Sequence, residues 1–437
     1  MNITVVGLGK IGLPLAVQFA RKGHIVFGVD VNENTVKKVN SGIEPFPGEA
    51  NLQEYLHEVV NNRYLTASTD TTSAVAKSDA VVVVVPLYVD QNGVPDFGWM
   101  DSATELIGKG LKKGTLVSYE TTLPVGTTRN RFAIALEKTS GLKAGFDFHL
   151  VFSPERVFTG RVFADLRKYP KLIGGINPTS SKAGITFYES VLEFDDRLDL
   201  ETPNGVWNLD SCEAAELAKL AETTYRDVNI ALANQFALFA ENNGIDIHKV
   251  INASNSQPFS HIHRPGIAVG GHCIPIYPQM YLWTDPDATV VISARAANSQ
   301  MPQKVVNKLL ELHGSLSDQK VIVLGASYRG GVKETAFSGV FEIVETLKKH
   351  KANVFVQDPM FSSDEIIQLG FNPYQIGEPA DAIIVQADHK EYKNITFKNF
   401  PGLKTILDGR GITNPANWSE VKYHLLGSTS MKTIKNS

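Results

Sequence analysis

Cysteine is nearly missing from this chain: 437 residues contain two, Cys212 and Cys273, far apart in sequence. That excludes a disulfide framework and the usual cysteine spacing of a zinc site, and it fits a reducing compartment. A dominant charge is missing too. Lys and Arg number 42 against 46 Asp and Glu, a net charge of −4, so no general basic field recommends nucleic acid or an anionic membrane as a partner. No apolar run reaches the roughly 18 residues that span a bilayer, and the opening MNITVVGLGK lacks the layout of a secretion signal. The expectation is a cytoplasmic protein with no membrane partner, no nucleic-acid partner and no bound metal.

What is present is the composition of a soluble, enzyme-sized chain. It is 43% hydrophobic and 20% charged with 35 glycines, and its length suggests two or three domains. Through the first half, short β-branched runs alternate with helical stretches. ITVVG (3–7), HIVFGVD (24–30), AVVVVVP (80–86), TLVSYE (115–120) and FHLVFSP (148–154) read as strands of a parallel sheet, with the valine runs covered on both faces. From Leu209 one long helix-forming stretch follows, with Asp210 or Ser211 as its starting cap and Gly244 as its stop. The alternation then returns in KVIVLG (320–325), NVFVQD (353–358), DAIIVQ (381–386) and KTILDGRG (404–411). The predicted fold class is α/β: two Rossmann-like, doubly wound domains joined by a long central helix.

The segment VVGLGKIG places Gly7, Gly9 and Gly12 as G-x-G-x-x-G between a strand and a helix. Such glycines permit a tight turn and let a pyrophosphate reach the unpaired N–H groups of the helix N-terminus. Alone the motif is a weak signal. Here HIVFGVD ends in Asp30, placed to grip a ribose 2′-hydroxyl and repel a 2′-phosphate, which points to NAD over NADP. Cofactor contacts are expected from Gly7, Leu8, Gly9, Lys10, Ile11, Gly12 and Asp30. Val85, Pro86, Glu120 and Thr121 join them, because they follow strand ends where loops of an open parallel sheet reach a ligand.

GGHCIPIYP (270–278) sets Cys273 between glycines and prolines. Such a loop admits a substrate closely and presents a thiolate if a cation or N–H groups lower its pKa; the alternative is a cysteine that merely packs. Lys219 lies on the long helix with Thr223 and Arg226 spaced to share its face, and Glu155 follows a strand at the proline corner of FSPERVFTG. Read singly, these are a solvated lysine and a turn carboxylate. His261, His263 and His272 lie near the thiol in sequence, yet their spacing fits no common zinc pattern. Cys212 reads as a packing residue.

Taken in order, GLGKIGLP, ETTLPVGTT, SPERVFTG, AELAKLAETTYRDVNIALAN, GGHCIPIYP, VIVLGASYRGGVKET and DGRG resemble the UDP-glucose/GDP-mannose dehydrogenase family over nearly the whole chain. RDVNIA and GGHCIP are most similar to the branch acting on UDP-N-acetylhexosamines, UDP-N-acetylmannosamine especially. The resemblance implies a homodimer that oxidises C6 of a nucleotide sugar from alcohol to carboxylate, using NAD twice and passing through a cysteine thiohemiacetal and thioester. It implies Cys273 as nucleophile, Lys219 as the cation facing oxyanions at C6, Glu155 as the base that activates water and Thr122 as a holder of that water. It also sets Arg156, Val157, Arg226, Gly270 and Arg329 against the sugar nucleotide and Arg264 to Gly266 at its base. The corresponding domains are an NAD-binding domain with a catalytic extension (1–205), a central helical dimerisation region carrying the cysteine loop (206–315), a UDP-sugar-binding α/β domain (316–425) and a polar, frayed tail (426–437).

Four positions depart from the family pattern. Tyr277 stands where many members have Asp, Thr223 where Asn is usual, Thr159 where a second Glu is common, and Ala336 in place of an Arg, with Lys333 as a compensating charge. Tyr277 and Thr223 keep hydrogen-bonding hydroxyls but bring no carboxylate, so C6 oxidation is expected to survive with a shifted pH optimum. The competing readings are a UDP-glucose or dTDP-glucose 6-dehydrogenase, a two-electron β-hydroxyacid dehydrogenase, and a nucleotide-sugar-binding protein impaired in catalysis.

Overall fold

The β-branched runs do become strands. A computed structural model describes residues 1–90 and 93–429; Gln91, Asn92 and 430–437, most of the expected tail, lie outside the described residues. The chain divides into two compact units, Met1–Glu222 with Gln279–Asp285, and Thr223–Pro278 with the chain from Pro286 onward.

The first unit holds β1 (Asn2–Val6), β2 (Ile25–Val29), β3 (Leu65–Ser68), β4 (Ala80–Val83), a two-stranded ribbon of β5 (Tyr88–Val89) and β6 (Pro95–Asp96), then β7 (Leu116–Tyr119), β8 (His149–Phe152), β9 (Lys171–Gly175) and β10 (Val206–Asn208). Apart from the ribbon they form one sheet in the order β10-β9-β8-β7-β4-β1-β2-β3. Neighbours run parallel except β8 and β9. The six strands from β3 to β8 follow the doubly wound dinucleotide order, and the order reverses between β1 and β4, where such sheets open a crevice. The helices Gly12–Arg21 and Pro178–Val191 contribute Leu15, Phe19, Phe187 and Val191 to the core beneath this sheet.

The second unit repeats the idea with β11 (Lys320–Leu324), β12 (Asn353–Gln357), β13 (Ala382–Val385), β14 (Thr405–Asp408) and β15 (Lys422–Leu425), in the order β12-β11-β13-β14-β15. All its pairs are parallel. Apolar clusters cover both faces, which is why β13 and β14 are buried throughout. The reversal here lies between β11 and β13.

Two details depart from the sequence reading. The strand expected over 80–86 ends at Val83, because the chain leaves the sheet to meet the glycine loop. The short strands LTAS, KLIGG, VWN and KYHL carry too little alternation to stand out as β3, β9, β10 and β15. The long helix runs Cys212–Asn242. Of the two candidate caps it uses Ser211, whose Oγ accepts the Ala214 N–H at 3.1 Å, while Asp210 turns left-handed (φ 65°). Its first turns grip the first unit: Glu216 accepts the N–H groups of Gly126 and Thr128 and the Thr128 hydroxyl, and Glu213 pairs with Arg129. No described helix is long and apolar enough to cross a membrane.

Candidate active site

β1 runs into Gly7, which turns left-handed (φ 95°). A Cβ there would lie 2.9 Å from the Val84 carbonyl oxygen, and one on Gly12 would lie 1.8 Å from the Gly7 carbonyl oxygen. Only glycine lets the strand end, the loop and the helix Gly12–Arg21 meet this closely. Gly9 differs, because among the described residues no atom beyond its own chain neighbours lies within 4 Å of where its Cβ would stand. Asp30 Oδ2 accepts the Leu8 N–H and Oδ1 the Asn32 N–H, both at 2.9 Å, so the acid at the end of β2 is held against the loop. The Thr121 hydroxyl donates to the Val85 carbonyl at 2.6 Å, tying together the loops after β4 and β7. Lys10 and Pro86 are exposed, Ile11 and Val85 half-buried. Beside them opens a recess lined by Gly9, Lys10, Phe46, Gly48, Thr159 and Gly160. A cradle that side chains would fill, an open approach at Gly9 and an acid suited to a ribose diol together fit NAD.

The neighbouring strand ends carry charge. Glu120, expected at the cofactor, is buried, and its side chain is committed elsewhere: Oε2 accepts from Lys171 Nζ at 2.6 Å and Oε1 from the Tyr188 hydroxyl at 2.7 Å. Its main chain is engaged as well, the N–H donating to the Val83 carbonyl at 3.0 Å and the carbonyl accepting the Glu155 N–H at 3.3 Å. Tyr188 OH lies 2.6 Å from Ser118 Oγ. Lys171 Nζ also donates to Glu155 Oε2 at 3.0 Å, and the Arg156 N–H donates to Glu155 Oε1 at 2.8 Å. Burial pushes Glu120 up to about 7 despite the ammonium beside it. Burial acts on Glu155 in the same sense, but the Lys171 charge and the bonds from Lys171 and Arg156 outweigh it and hold that carboxyl below its ordinary value. The Arg156 guanidinium donates to Glu222 at 3.1 Å and to the Pro170 carbonyl at 3.2 Å, and Lys219 Nζ lies 3.5 Å from the other Glu222 oxygen. Thr122 is buried, Val157 half-buried and Thr159 exposed.

The remaining predicted residues belong to the second unit. A Cβ on Gly270 would lie 2.6 Å from Tyr328 Cβ and 2.7 Å from the Phe337 carbonyl oxygen; the Gly271 N–H donates to the Ala336 carbonyl at 2.8 Å, and His272 lies 3.4 Å from Glu334. The glycine pair thus lets the thiol loop lie against the 328–337 loop. Cys273 is exposed, and its carbonyl accepts the Tyr277 N–H at 2.9 Å as the helix Tyr277–Thr284 begins. Cys212 is the reverse case: it is fully buried, donates to the Gly174 carbonyl at 3.3 Å, and burial pushes its thiol up to about 12. Arg264 donates to the His248 carbonyl and to Asn252, and the Gly266 N–H to Asn234 at 2.9 Å. Asn234 donates to Asn298, Asn298 to Asp227, and Asp227 pairs with Arg295, which reaches the Ile274 carbonyl just after the thiol. Thr223 is buried, Arg226 exposed, and exposed Arg329 donates to the Tyr328 hydroxyl at 3.2 Å. Lys333 is engaged by Glu365. Among the described residues no three His, Cys, Asp or Glu side chains converge as metal ligands.

Sequence reasoning missed Lys171, Glu222 and the pair Asp227–Arg295. Glu222 stands three residues after Lys219, a spacing at which helix side chains meet. A lysine opening the apolar run KLIGG was the one available signal for Lys171.

Comparison with known proteins identifies the family. The UDP-glucose/GDP-mannose dehydrogenase family matches over residues 1–192 (NAD binding domain), 213–301 (central domain) and 322–415 (UDP binding domain). A protein of Pyrococcus horikoshii named UDP-N-acetyl-D-mannosamine dehydrogenase is 34% identical over 94% of this chain and 96% of its own, and one of the same name from Methanocaldococcus jannaschii is 32% identical over 98% and 96%. The solved structure of UDP-D-ManNAc dehydrogenase from Pyrococcus horikoshii superimposes with a TM-score of 0.86 at 31% identity, covering 98% of this chain and 99% of that one. With an NAD-binding loop, a UDP-binding domain and full-length relatives, the chain belongs to the UDP-glucose/GDP-mannose dehydrogenase family and is an NAD-dependent nucleotide-sugar dehydrogenase.

Proposed function

We propose that this enzyme oxidises C6 of a UDP-N-acetylhexosamine, UDP-N-acetylmannosamine foremost, from alcohol to carboxylate. The observation that carries the reading is the contrast between the two cysteines: Cys212 is sealed in the core, whereas Cys273 is exposed one turn before a helix. An exposed thiol at a helix start is suited to nucleophilic work, and an aldehyde needs a nucleophile before it has a hydride to give. NAD, when bound at Gly7–Gly12 and Asp30, supplies the hydride acceptor for both oxidations. In the first, the C6 hydroxyl gives its proton to water and Lys219 holds the alkoxide from which hydride then leaves. The Cys273 thiolate then forms a C–S bond to the aldehyde carbon, and Lys219 stabilises the resulting oxyanion. Loss of a second hydride from that carbon leaves a thioester. Glu155 takes a proton from a water held by Thr122, the water adds to the carbonyl, and the C–S bond breaks to release Cys273 and the acid. Thr223 and Tyr277 hydrogen-bond the oxyanion or the water. Arg156, Val157, Arg226, Gly270 and Arg329 contact the sugar nucleotide, and the loop Arg264 to Gly266 its base.

The names of the full-length relatives support the choice of sugar. An NADH assay across UDP-N-acetylmannosamine, UDP-N-acetylglucosamine, UDP-glucose, dTDP-glucose and GDP-mannose tests it; the first should give the highest kcat/KM, and preference for a glucose nucleotide would overturn the choice. A cytoplasmic homodimer completes the proposal. Leu217, Leu232, Phe236 and Phe239 are exposed along the long helix, apolar surface that a second copy would cover, and the two free thiols suit a reducing compartment. Light scattering at micromolar concentration should return twice the chain mass.

A further inference from the structure

Three strand ends in the first unit converge on a single buried ammonium. Lys171 opens β9, Glu120 follows β7 and Glu155 follows β8, with Nζ–O distances of 2.6 and 3.0 Å. Lys171 is only 4% exposed. Two carboxylates therefore compete for one cation where little water reaches them, and both cannot ionise without leaving a net buried negative charge. Other titratable groups near this cluster have partners of their own. Tyr188, from the helix Pro178–Val191, donates to Glu120, and its ring lies under Lys171 Nζ with the centroid 4.9 Å away. The Arg156 guanidinium is turned to Glu222 and the Pro170 carbonyl. Asp165, which lines the recess beside Glu155, is held by Arg161 at 2.9 Å and the Phe158 N–H at 3.0 Å, and Tyr169 by Arg161. Glu155 thus shares the Lys171 ammonium with Glu120. Position 159 carries Thr, and the second carboxylate beside Glu155 in this chain is that of Glu120, just after β7.

We propose that Lys171 is a positioning residue for thioester hydrolysis: its buried ammonium, 3.0 Å from Glu155 Oε2, holds Glu155 as an oriented carboxylate able to take a proton from water. The inference rests on Glu155 acting as the base. Removing the cation leaves Glu155 desolvated next to a second acid, which favours its neutral form and moves the acid limb of hydrolysis to higher pH. Glu120, pushed up to about 7 by burial, is already neutral where Glu155 titrates, so removing its carboxyl takes no charge from the cluster and leaves the limb in place. A residue that merely props up the fold would change the rate without moving the limb.

The test is rapid-quench measurement of thioester hydrolysis against pH in the full-length enzyme, using the nucleotide sugar that the substrate panel identifies. Lys171→Met should raise the limb by about one pH unit or more, roughly a tenfold loss of rate on its acid side, while Lys171→Arg restores the limb toward wild type. Glu120→Gln, a neutral replacement for an acid already neutral there, should leave the limb within about 0.3 pH unit of wild type. Should Lys171→Met fold poorly, Lys171→Met/Glu120→Gln removes the excess buried charge and should still show a raised limb. An unmoved limb in Lys171→Met or in the double variant, or an equal upward shift in Glu120→Gln, overturns the proposal. Glu155→Gln separates the layers. Wild-type hydrolysis in that variant refutes the base itself, whereas slow hydrolysis there with an unmoved limb in Lys171→Met refutes only the role of Lys171.

Discussion

Replacing Gly9 and Gly12 separately by alanine asks whether the glycine loop is built for the fold or for the ligand, because the two positions have opposite surroundings. A Cβ on Gly12 would sit 1.8 Å from the Gly7 carbonyl oxygen, against ordinary van der Waals contact at 3.4 Å or more. The helix start must then move away from β1 by more than an ångström, in a region anchored by Leu13, Leu15 and Phe19 in the core. Overpacking of that kind costs about 3 kcal/mol, which lowers Tm by roughly 6–12 °C. A Cβ on Gly9 meets nothing, and Gly9 has no left-handed backbone, so Gly9→Ala should leave Tm within about 2 °C of wild type. That methyl points into the space a pyrophosphate needs, and NAD affinity should fall at least about tenfold, or 1.4 kcal/mol. Differential scanning fluorimetry reads the first quantity and isothermal titration with NAD the second. Gly9→Ala binding NAD as wild type does, or losing as much stability as Gly12→Ala, would refute the reasoning.

Three further outcomes are expected. Cys273→Ser should reduce acid formation at least about a thousandfold with an unchanged Tm, whereas Cys212→Ala, in the core, should retain activity; both are read from NADH kinetics and thermal melts. Arg295→Met leaves the fully buried Asp227 carboxylate without its cation and should destabilise by about 3–5 kcal/mol, with part recovered in Arg295→Met/Asp227→Asn, as measured by urea denaturation. Asp358 is held below its ordinary value although burial opposes this, because the His389 ring and the Ser327 and Met360 N–H groups favour its anion. Its stabilisation is therefore present above the unfolded carboxylate value of about 3.9 and lost as pH falls through the lower folded value, so the difference between urea midpoints at pH 7 and pH 3 should be smaller in Asp358→Asn.

Features set by neighbours in sequence were legible before the structure. The loop Gly7–Gly12, its acid Asp30 and the valine strands follow from spacing and period alone, and the close approach of Gly12 to Gly7 is the physical content of that spacing. Features set by distant partners were not. Glu120 reads as a strand-end residue aimed at a cofactor, and only folding reveals that Lys171, 51 residues on, claims its side chain. The strand expected to reach Pro86 stops at Val83 because hydrophobicity does not register where a chain must leave a sheet to close on a glycine loop. Whether Cys273 packs or faces solvent was open for the same reason, and its exposure decides it. The substitutions Tyr277 and Ala336 were visible in the sequence; the structure adds that Lys333 is already paired with Glu365.

The central claim, a four-electron oxidation through Cys273, is tested most directly by counting NADH against sugar consumed, with UDP-N-acetylmannosamine limiting and NAD in excess. About two NADH per sugar, with the acid as the sole sugar product, is the predicted result. About one NADH per sugar with the aldehyde accumulating would contradict it.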